Sequence, residues 1–474
     1  MSIDNREKYD IYRKTYPEFI YRGYSYHFSE DGLEISYEFQ IPGLIKFHPR
    51  WVISTAYVKN RAALEMDEKL DELVFSLGMV ELISYWKATC SPKVKICSRR
   101  LCSAQTEWWK KLYYNGLGEF FYTNGIVPGN DFMDIECEPD APASIRFQPA
   151  SSFPESILPR VLVPVGGGKD SAVTLELLRG KADRVCYVIN PRKATIDTEA
   201  VADTENIGIA AKRYIDRDLI LLNTKGFLNG HTPFSAIVAF SSVITAYISG
   251  IEYIALSNES SANESTVPGS YVNHQYSKSY EFENDFREYE REYIKSGVEY
   301  FSFLRPLTEL QIAWLFSRYK KYHSVFRSCN VGSKKDIWCG ECSKCLFVYL
   351  ILSPFLSDSE LKEIFGRNLL EDESLLGTFD KLTGILPEKP FECVGSRDEV
   401  CAAIDAVTDN MKNTGRELPA LLEHYSKVLK NRSSQEKLSD YAAKFDSTNS
   451  LNAYFEKIIR DAVNSMKKEV ETNA

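Results

Sequence analysis

Gly166, Gly167, Gly168, Lys169, Asp170 and Ser171 follow one another between an apolar run and a segment of helical periodicity. Glycine tolerates positive φ, so successive backbone N–H groups can close on phosphate oxygens, and a helix starting there adds positive potential. Lys169 and the Ser171 hydroxyl can supplement that grip. Asp170 either caps the helix or helps to hold Mg²⁺, and both roles stay open. A kinase-type loop, G-x-x-x-x-G-K-[ST], is excluded twice, because Asp170 follows Lys169 and Val163 stands where the first glycine belongs. The dinucleotide fingerprint G-x-G-x-x-G fails at Ser171, and no acidic residue closes the next strand, residues 184–190 (RVCYVIN), to hold a ribose. The plain alternative, a glycine-rich turn without a ligand, fits less well with strand, loop and helix in the order a phosphate site needs.

A second constellation is Cys329, Cys339, Cys342 and Cys345, with nine, two and two residues between them. Four thiolates so close in the chain suit a tetrahedral Zn²⁺ site, and the C-G-x-C turn frees N–H groups for the sulfurs. Four protein ligands leave no open position, so a structural ion is expected, clamping the following helix to the sheet. A redox or sulfur-carrying pair is the competing use of C-x-x-C. The chain has eleven cysteines and no apolar leader, so a disulfide framework is not expected, and the seven scattered cysteines read as ordinary buried thiols.

The elements that must position these residues alternate. Residues 157–165 (ILPRVLVPV), 184–190, 218–223 (DLILLN) and 252–258 (EYIALSN) read as strands, with helices between them. That rhythm predicts an α/β fold with a doubly wound parallel sheet, whose ligands sit beyond the carboxyl ends of the strands. The informative polar residues fall there: 166–171, Asn190, 223–231 and 257–264. Alternation over 21–54 and helical periodicity over 61–88 predict an α+β N-terminal domain, 1–150, ahead of a nucleotide-binding domain, 151–328. The cysteine cluster and following helices occupy 329–400, and 401–474 reads as a helical tail. The aromatic stretch 108–122 is taken as core rather than a ligand pocket.

With 474 residues, 44% of them hydrophobic, the chain is globular and can bury a large core. The net charge of -9 leaves only two short basic segments, 93–100 (KVKICSRR) and 318–323 (RYKKYH), read as solvated faces, so no nucleic-acid partner is expected. The charged N-terminus lacks an apolar h-region, which points to the cytoplasm. The longest uncharged run, 232–251, carries several Ser and Thr and lies between strand-like segments; it reads as a buried helix, and no membrane partner is expected.

The stretch GGGKDS resembles the S-G-G-x-D-S loop of the ATP pyrophosphatase (PP-loop) superfamily, with glycine at its first position. That resemblance implies a sheet of the adenine nucleotide α-hydrolase type, and a grip on the pyrophosphate that leaves as AMP is transferred to a substrate oxygen. Together with the four cysteines, the central region also resembles 7-cyano-7-deazaguanine synthase, which adenylates a carboxylate.

A longer set of segments, including FHPRWVISTAY (47–57), NGLGEFFY (115–122), NGHTPFSAI (229–237), ALSNESSANES (255–265), NHQYSKSYEFE (273–283), FLRPLTELQIA (303–313), WCGECSKCLF (338–347) and KPFECVG (389–395), resembles the UDP-N-acetyl-α-D-muramoyl-L-alanyl-L-glutamate epimerases of bacterial cell-wall synthesis. The similarity runs over roughly residues 40–400. It implies an ATP- and Mg²⁺-dependent inversion of the terminal L-glutamate of a UDP-muramoyl dipeptide. On that footing residues 166–171 bind pyrophosphate and Asn190 lies near the adenosine. Ser257, Asn258, Glu259 and Asn263 face the activated glutamate or Mg²⁺, and Arg305 pairs with the uridine diphosphate or a carboxylate. His231 and His274 are the candidate proton carriers, because imidazole titrates near neutrality, with Glu259 and Lys278 in reserve. Two other classes compete. A PP-loop enzyme that amidates or thiolates a nucleobase or tRNA would need a basic face and a reactive cysteine outside the zinc set. A non-catalytic nucleotide-binding module would release neither AMP nor pyrophosphate.

Overall fold

The computed structural model describes residues 4–58, 60–142, 157–204, 206–263, 272–428 and 436–473. Among them, eleven strands join one sheet: β1 (Glu18–Phe28), β2 (Leu33–Ile41), β3 (Ile45–Phe47), β4 (Arg50–Ile53), β5 (Lys93–Ile96), β6 (Asp134–Cys137), β7 (Arg160–Pro164), β8 (Asp183–Ile189), β9 (Ile209–Tyr214), β10 (Tyr253–Leu256) and β11 (Glu299–Ser302). Their order is β11-β10-β7-β8-β9-β4-β2-β1-β5-β6, with β3 beside β2.

The half from β11 to β9 is wholly parallel. Chain order runs outward from β7 through β8 to β9, then returns to the other side of β7 for β10 and β11. The winding therefore reverses at the β7/β10 junction, the place where open α/β sheets leave a crevice at their carboxyl ends. Both faces are covered, as the near-continuous apolar strands require. Leu162, Val185, Tyr187, Ile254 and Tyr300 enter one core with the helix Phe234–Ser249, while Val161, Val163, Cys186, Ala255 and Phe301 enter a second with the helices Lys169–Leu178 and Glu309–Arg318.

One expected strand is a helix. Residues 218–223 lie in Arg217–Thr224, which Asp216 caps by accepting from the Asp218 N–H at 2.8 Å. Leu219 and Leu222, three apart, are buried, whereas Ile220 and Leu221 are exposed. A short apolar run does not distinguish helix from strand, and here the Asp cap and the neighbours decide. The third parallel strand is β9, just upstream.

The N-terminal region continues the same sheet instead of forming its own. β4 pairs antiparallel with β9, from Arg50 opposite Tyr214 to Ile53 opposite Ala211. The boundary expected near residue 150 lies outside the described residues. The helical periodicity over 61–88 divides into Arg61–Glu65 and Glu68–Trp86, the latter capped by Asp67 and buried on nearly every side against the helix Phe234–Ser249. A helix so enclosed carries apolar residues all round. The basic segment 93–100 supplies β5, where Lys93 and Lys95 pair with Glu136 and Glu138 at 3.0 and 3.3 Å.

Helices Ser343–Leu352, Arg397–Asn413 and Ala453–Asn473 lie in the largely helical region beyond the sheet. The last of these is not a loose tail: Phe455 packs on Tyr253 and Phe301, with ring centroids 5.2 and 4.8 Å apart. Among the described residues no helix is long and apolar enough to cross a membrane, and the uncharged run 232–251 forms the buried helix Phe234–Ser249.

Candidate active site

The glycine loop leaves β7 at the junction where the winding reverses. Gly167 has φ +81°, and a Cβ there would lie 3.1 Å from the Ala194 backbone; Gly168 is the N-cap of the helix Lys169–Leu178. Gly166 has open space around its Cα. Gly166→Ser is therefore expected to leave Tm unchanged, whereas Gly167→Ala, which forces a side chain into a left-handed backbone against a wall, should cost about 1–2 kcal/mol. Tm of the two variants checks this.

Beside the loop lies a cavity of about 230 Å³, lined among others by Gly166, Tyr187, Asn190, Thr195 and Phe234. Asn190 takes a left-handed conformation, φ +50°, and its amide exchanges bonds with the Arg213 backbone, accepting from N–H at 2.9 Å and donating to the carbonyl at 3.2 Å. It turns the chain at the cavity wall while serving as one more rung between β8 and β9. Phe234, 47% exposed, offers a ring face where the 229–233 loop enters its helix.

Lys169 does not reach outward. Its ammonium, 1% exposed, bonds Asp170 and Glu309 and is held firmly protonated by the two carboxylates, which outweigh its burial. Asp170 stays ionised, because Lys169, Lys344 and Lys278 favour the anion and outweigh its partial desolvation. Glu309 is raised by burial, and facing Asp170 and Glu259 adds to that. Three acids and three lysines thus meet at the start of one helix, with Asp170 the part-exposed member.

The two histidines chosen from the sequence meet. Their rings lie 4.6 Å apart, and both Nδ1 atoms face one Glu119 oxygen, His231 at 3.2 Å and His274 in a closer contact. Glu119 comes from the helix Gly118–Thr123, so the N-terminal region completes the site. Lys87, at the end of Glu68–Trp86, donates to the carbonyls of Gly230 and His231 and to Thr232 Oγ1, fixing the loop that presents His231. Burial lowers Lys87 to about 7.

Cys393 completes the cluster. Its sulfur accepts from Lys278 Nζ at 3.1 Å and shares a hydrogen bond with His274, and its carbonyl accepts from Lys344. Burial alone would raise the thiol, but Lys278, His274 and Lys344 bring it down to about 5. His274 is raised to about 9, its bonds to Cys393 and Glu119 overcoming burial. Burial, then repulsion by His274, lowers His231 to about 4. At neutral pH the cluster holds a thiolate, an imidazolium and a neutral imidazole. The Glu119, His231 and His274 donor atoms lie within 4.8 Å of one another, and with both Nδ1 atoms on the Glu119 carboxylate they can share a proton.

The remaining candidates divide. Ser257 Oγ bonds Thr174 Oγ1 at 2.8 Å and Asn258 donates to Ser302 Oγ at 3.0 Å, both at the carboxyl end of β10. Glu259 is buried and accepts from the Ser261 N–H. Asn263 ends a short 3₁₀ turn, Ser260–Asn263, and its side chain lies outside the described residues. Arg305 is fully buried, donates to the carbonyls of Glu259 (2.7 Å) and Lys278, and faces Glu283 at 3.3 Å, so its guanidinium holds the site's two loops together.

Cys329, Cys339, Cys342 and Cys345 converge, with sulfur separations of 3.9 Å (329–342), 3.6 Å (339–345) and 3.5 Å (342–345). Backbone N–H groups of Gly332 and Cys339 donate to Cys329 Sγ, and those of Glu341 and Cys342 to Cys339 Sγ. Four sulfurs with N–H donors on them suit a tetrahedral Zn²⁺.

Residues 11–303 match the family described as MurL N-terminal domain, and residues 322–438 the one described as MurL C-terminal domain. The chain belongs to the MurL family. A UDP-N-acetyl-alpha-D-muramoyl-L-alanyl-L-glutamate epimerase of Xanthomonas oryzae pv. oryzae is 35% identical over 68% of this chain and 71% of its own length. Epimerases of the same name from a Micromonospora strain and Salinispora tropica are each 36% identical, over 70% of this chain and 74% of theirs. In this MurL-family site, sequence reasoning passed over Lys87, Glu119, Glu309, Lys344 and Cys393. Four of them sit in segments that already carried the family resemblance: Glu119 in NGLGEFFY, Glu309 in FLRPLTELQIA, Lys344 in WCGECSKCLF and Cys393 in KPFECVG. Cys393 is no ordinary buried thiol, because two lysines and an imidazolium surround it.

Proposed function

We propose that this chain inverts the terminal L-glutamate of UDP-MurNAc-L-Ala-L-Glu to D-glutamate, after ATP-dependent activation of that residue's carboxylate, in peptidoglycan precursor synthesis. The observation that carries the reading is that the two lysines bonded to Cys393, Lys278 and Lys344, also act on Asp170 of the glycine loop, which ties a phosphate-type loop to the thiolate–imidazole cluster in a chain whose relatives bear that epimerase name.

The chemistry explains why both halves are needed. Removing an α-proton beside a carboxylate anion would create a carbanion next to an existing negative charge. Transfer of AMP to the carboxylate gives a mixed anhydride whose carbonyl accepts the developing charge. The loop, of the PP-loop kind, would hold the departing pyrophosphate on Gly166 to Gly168 and Ser171, with the adenosine in the cavity under Asn190 and Phe234. Asp170 and Glu259 are the carboxylates suited to Mg²⁺, which when bound neutralises phosphate charge. Zn²⁺ on the four cysteines is structural in this reading, fixing the helix that starts at Ser343. Ser257 and Asn258, at the carboxyl end of β10, would face the activated glutamate.

Incubation with the L-Glu dipeptide substrate, ATP and Mg²⁺, then acid hydrolysis and chiral analysis, tests the proposal. D-glutamate should appear only with ATP, together with AMP and pyrophosphate. Cys393 is also what a sulfur-transferring enzyme would need; AMP formation dependent on tRNA or a nucleobase acid, with no D-glutamate, would favour that reading.

A further inference from the structure

Four side chains from four separated segments form one hydrogen-bonded chain. Cys393, in the loop before the helix Arg397–Asn413, bonds His274; His274 bonds Glu119; and Glu119 faces His231 at 3.2 Å. Its two ends differ in kind, a thiol at one and an imidazole at the other. Each end is anchored by a lysine: Lys278 donates to Cys393 Sγ at 3.1 Å, and Lys87 bonds the His231 carbonyl at 3.1 Å. We infer that Cys393 and His231 are the two proton carriers of the epimerisation, and that His274 and Glu119 are the relay that connects them. This rests on the proposed epimerase reading and names the residues that exchange the proton.

The steps balance without any further reactant. The Cys393 thiolate takes the α-proton of the acyl-adenylate: the C–H bond breaks, an S–H bond forms, and the electron pair moves onto the acyl oxygen as an enolate. His231, protonated from His274 through Glu119, gives its proton to the opposite face of the α-carbon, and the enolate collapses to the carbonyl. The Cys393 proton then passes to the emptied His274, restoring thiolate and imidazolium. The groups facing Cys393 are Lys278, His274 and Lys344, each of which favours the thiolate, so the base is charged before substrate arrives. An isolated thiol would present only a few per cent thiolate.

Two-base chemistry leaves a signature that a structural role does not. Cys393→Ala and His231→Asn are compared in D₂O with ATP and Mg²⁺, starting in turn from the L-Glu and the D-Glu epimer. Both variants should lose epimerisation by about 10²–10⁴-fold, while substrate-dependent ATP–pyrophosphate exchange stays within about threefold of the parent. Each should still wash out α-hydrogen from one epimer, and the two variants from opposite epimers. Loss of wash-out from the same epimer, or from both, would overturn the assignment, as would Cys393→Ala epimerising at the parental rate. A hydroxylamine-sensitive acyl adduct on Cys393 would also overturn it, by making the sulfur a nucleophile. If the parent protein washes out α-hydrogen without ATP, activation by adenylation fails, and the complementary pattern of the two variants still decides the relay.

Discussion

Asp170→Asn is expected to lower substrate-dependent ATP–pyrophosphate exchange by about 10²–10³-fold, the usual loss when one pre-placed charge at a reacting group is removed, with the fold intact. Asparagine keeps the shape, and Lys169 keeps Glu309 as its partner. Asp170 is also one of the groups that push Glu309 up, so neutralising it lets Glu309 ionise more completely and compensate Lys169. The stability cost should therefore stay near about 1 kcal/mol. What asparagine cannot replace is the part-exposed carboxylate at the head of the loop helix. Exchange within about fivefold of the parent, at unchanged Tm, would mean that Asp170 only neutralises Lys169.

Cys345→Ala should have the largest effect on stability. Cys345 stands in the first turn of Ser343–Leu352, and every residue from Cys345 to Leu352 is buried in the second core. Metal ligation in such a site is folding free energy, of order 10 kcal/mol for a small Zn²⁺ site, so losing one ligand should cost several kcal/mol. Zinc content is expected to fall from about one per chain towards zero, with Tm lowered by about 5 °C. Activity should fall with it, because neighbouring Lys344 bonds the Cys393 carbonyl. Unchanged Tm together with unchanged zinc content would remove the structural role from the cluster.

Much of this site was written in local sequence. The loop could be placed because glycine conformational freedom, strand and helix are contiguous in the chain, and the four cysteines because three of them share one turn. The parallel sheet was legible for the same reason, save that DLILLN fits either period and its Asp216 cap settles it as helix. Glu119, Lys87 and Cys393 were not legible as chemistry. Each is an ordinary residue until a distant segment supplies its partner: Lys278 and His274 for Cys393, the 229–233 loop for Lys87, and two histidines for Glu119. For Arg305, an arginine beside a ligand loop reads as an anion binder, and its complete burial and its bonds to carbonyls and Glu283 have no local signal. The N-terminal region was legible as α+β, but the edge-to-edge pairing of β4 with β9 that carries Lys87 and Glu119 to the site has no local signal.

Activation of a carboxylate ahead of proton exchange is tested most directly by deuterium. The parent protein is incubated in D₂O with UDP-MurNAc-L-Ala-L-Glu and Mg²⁺, with and without ATP, and deuterium at the α-carbon of the terminal glutamate is followed by mass spectrometry alongside AMP. Deuterium should enter only with ATP, and in step with D-glutamate and AMP. Deuterium entering equally without ATP, or AMP released with the α-hydrogen untouched, would contradict it.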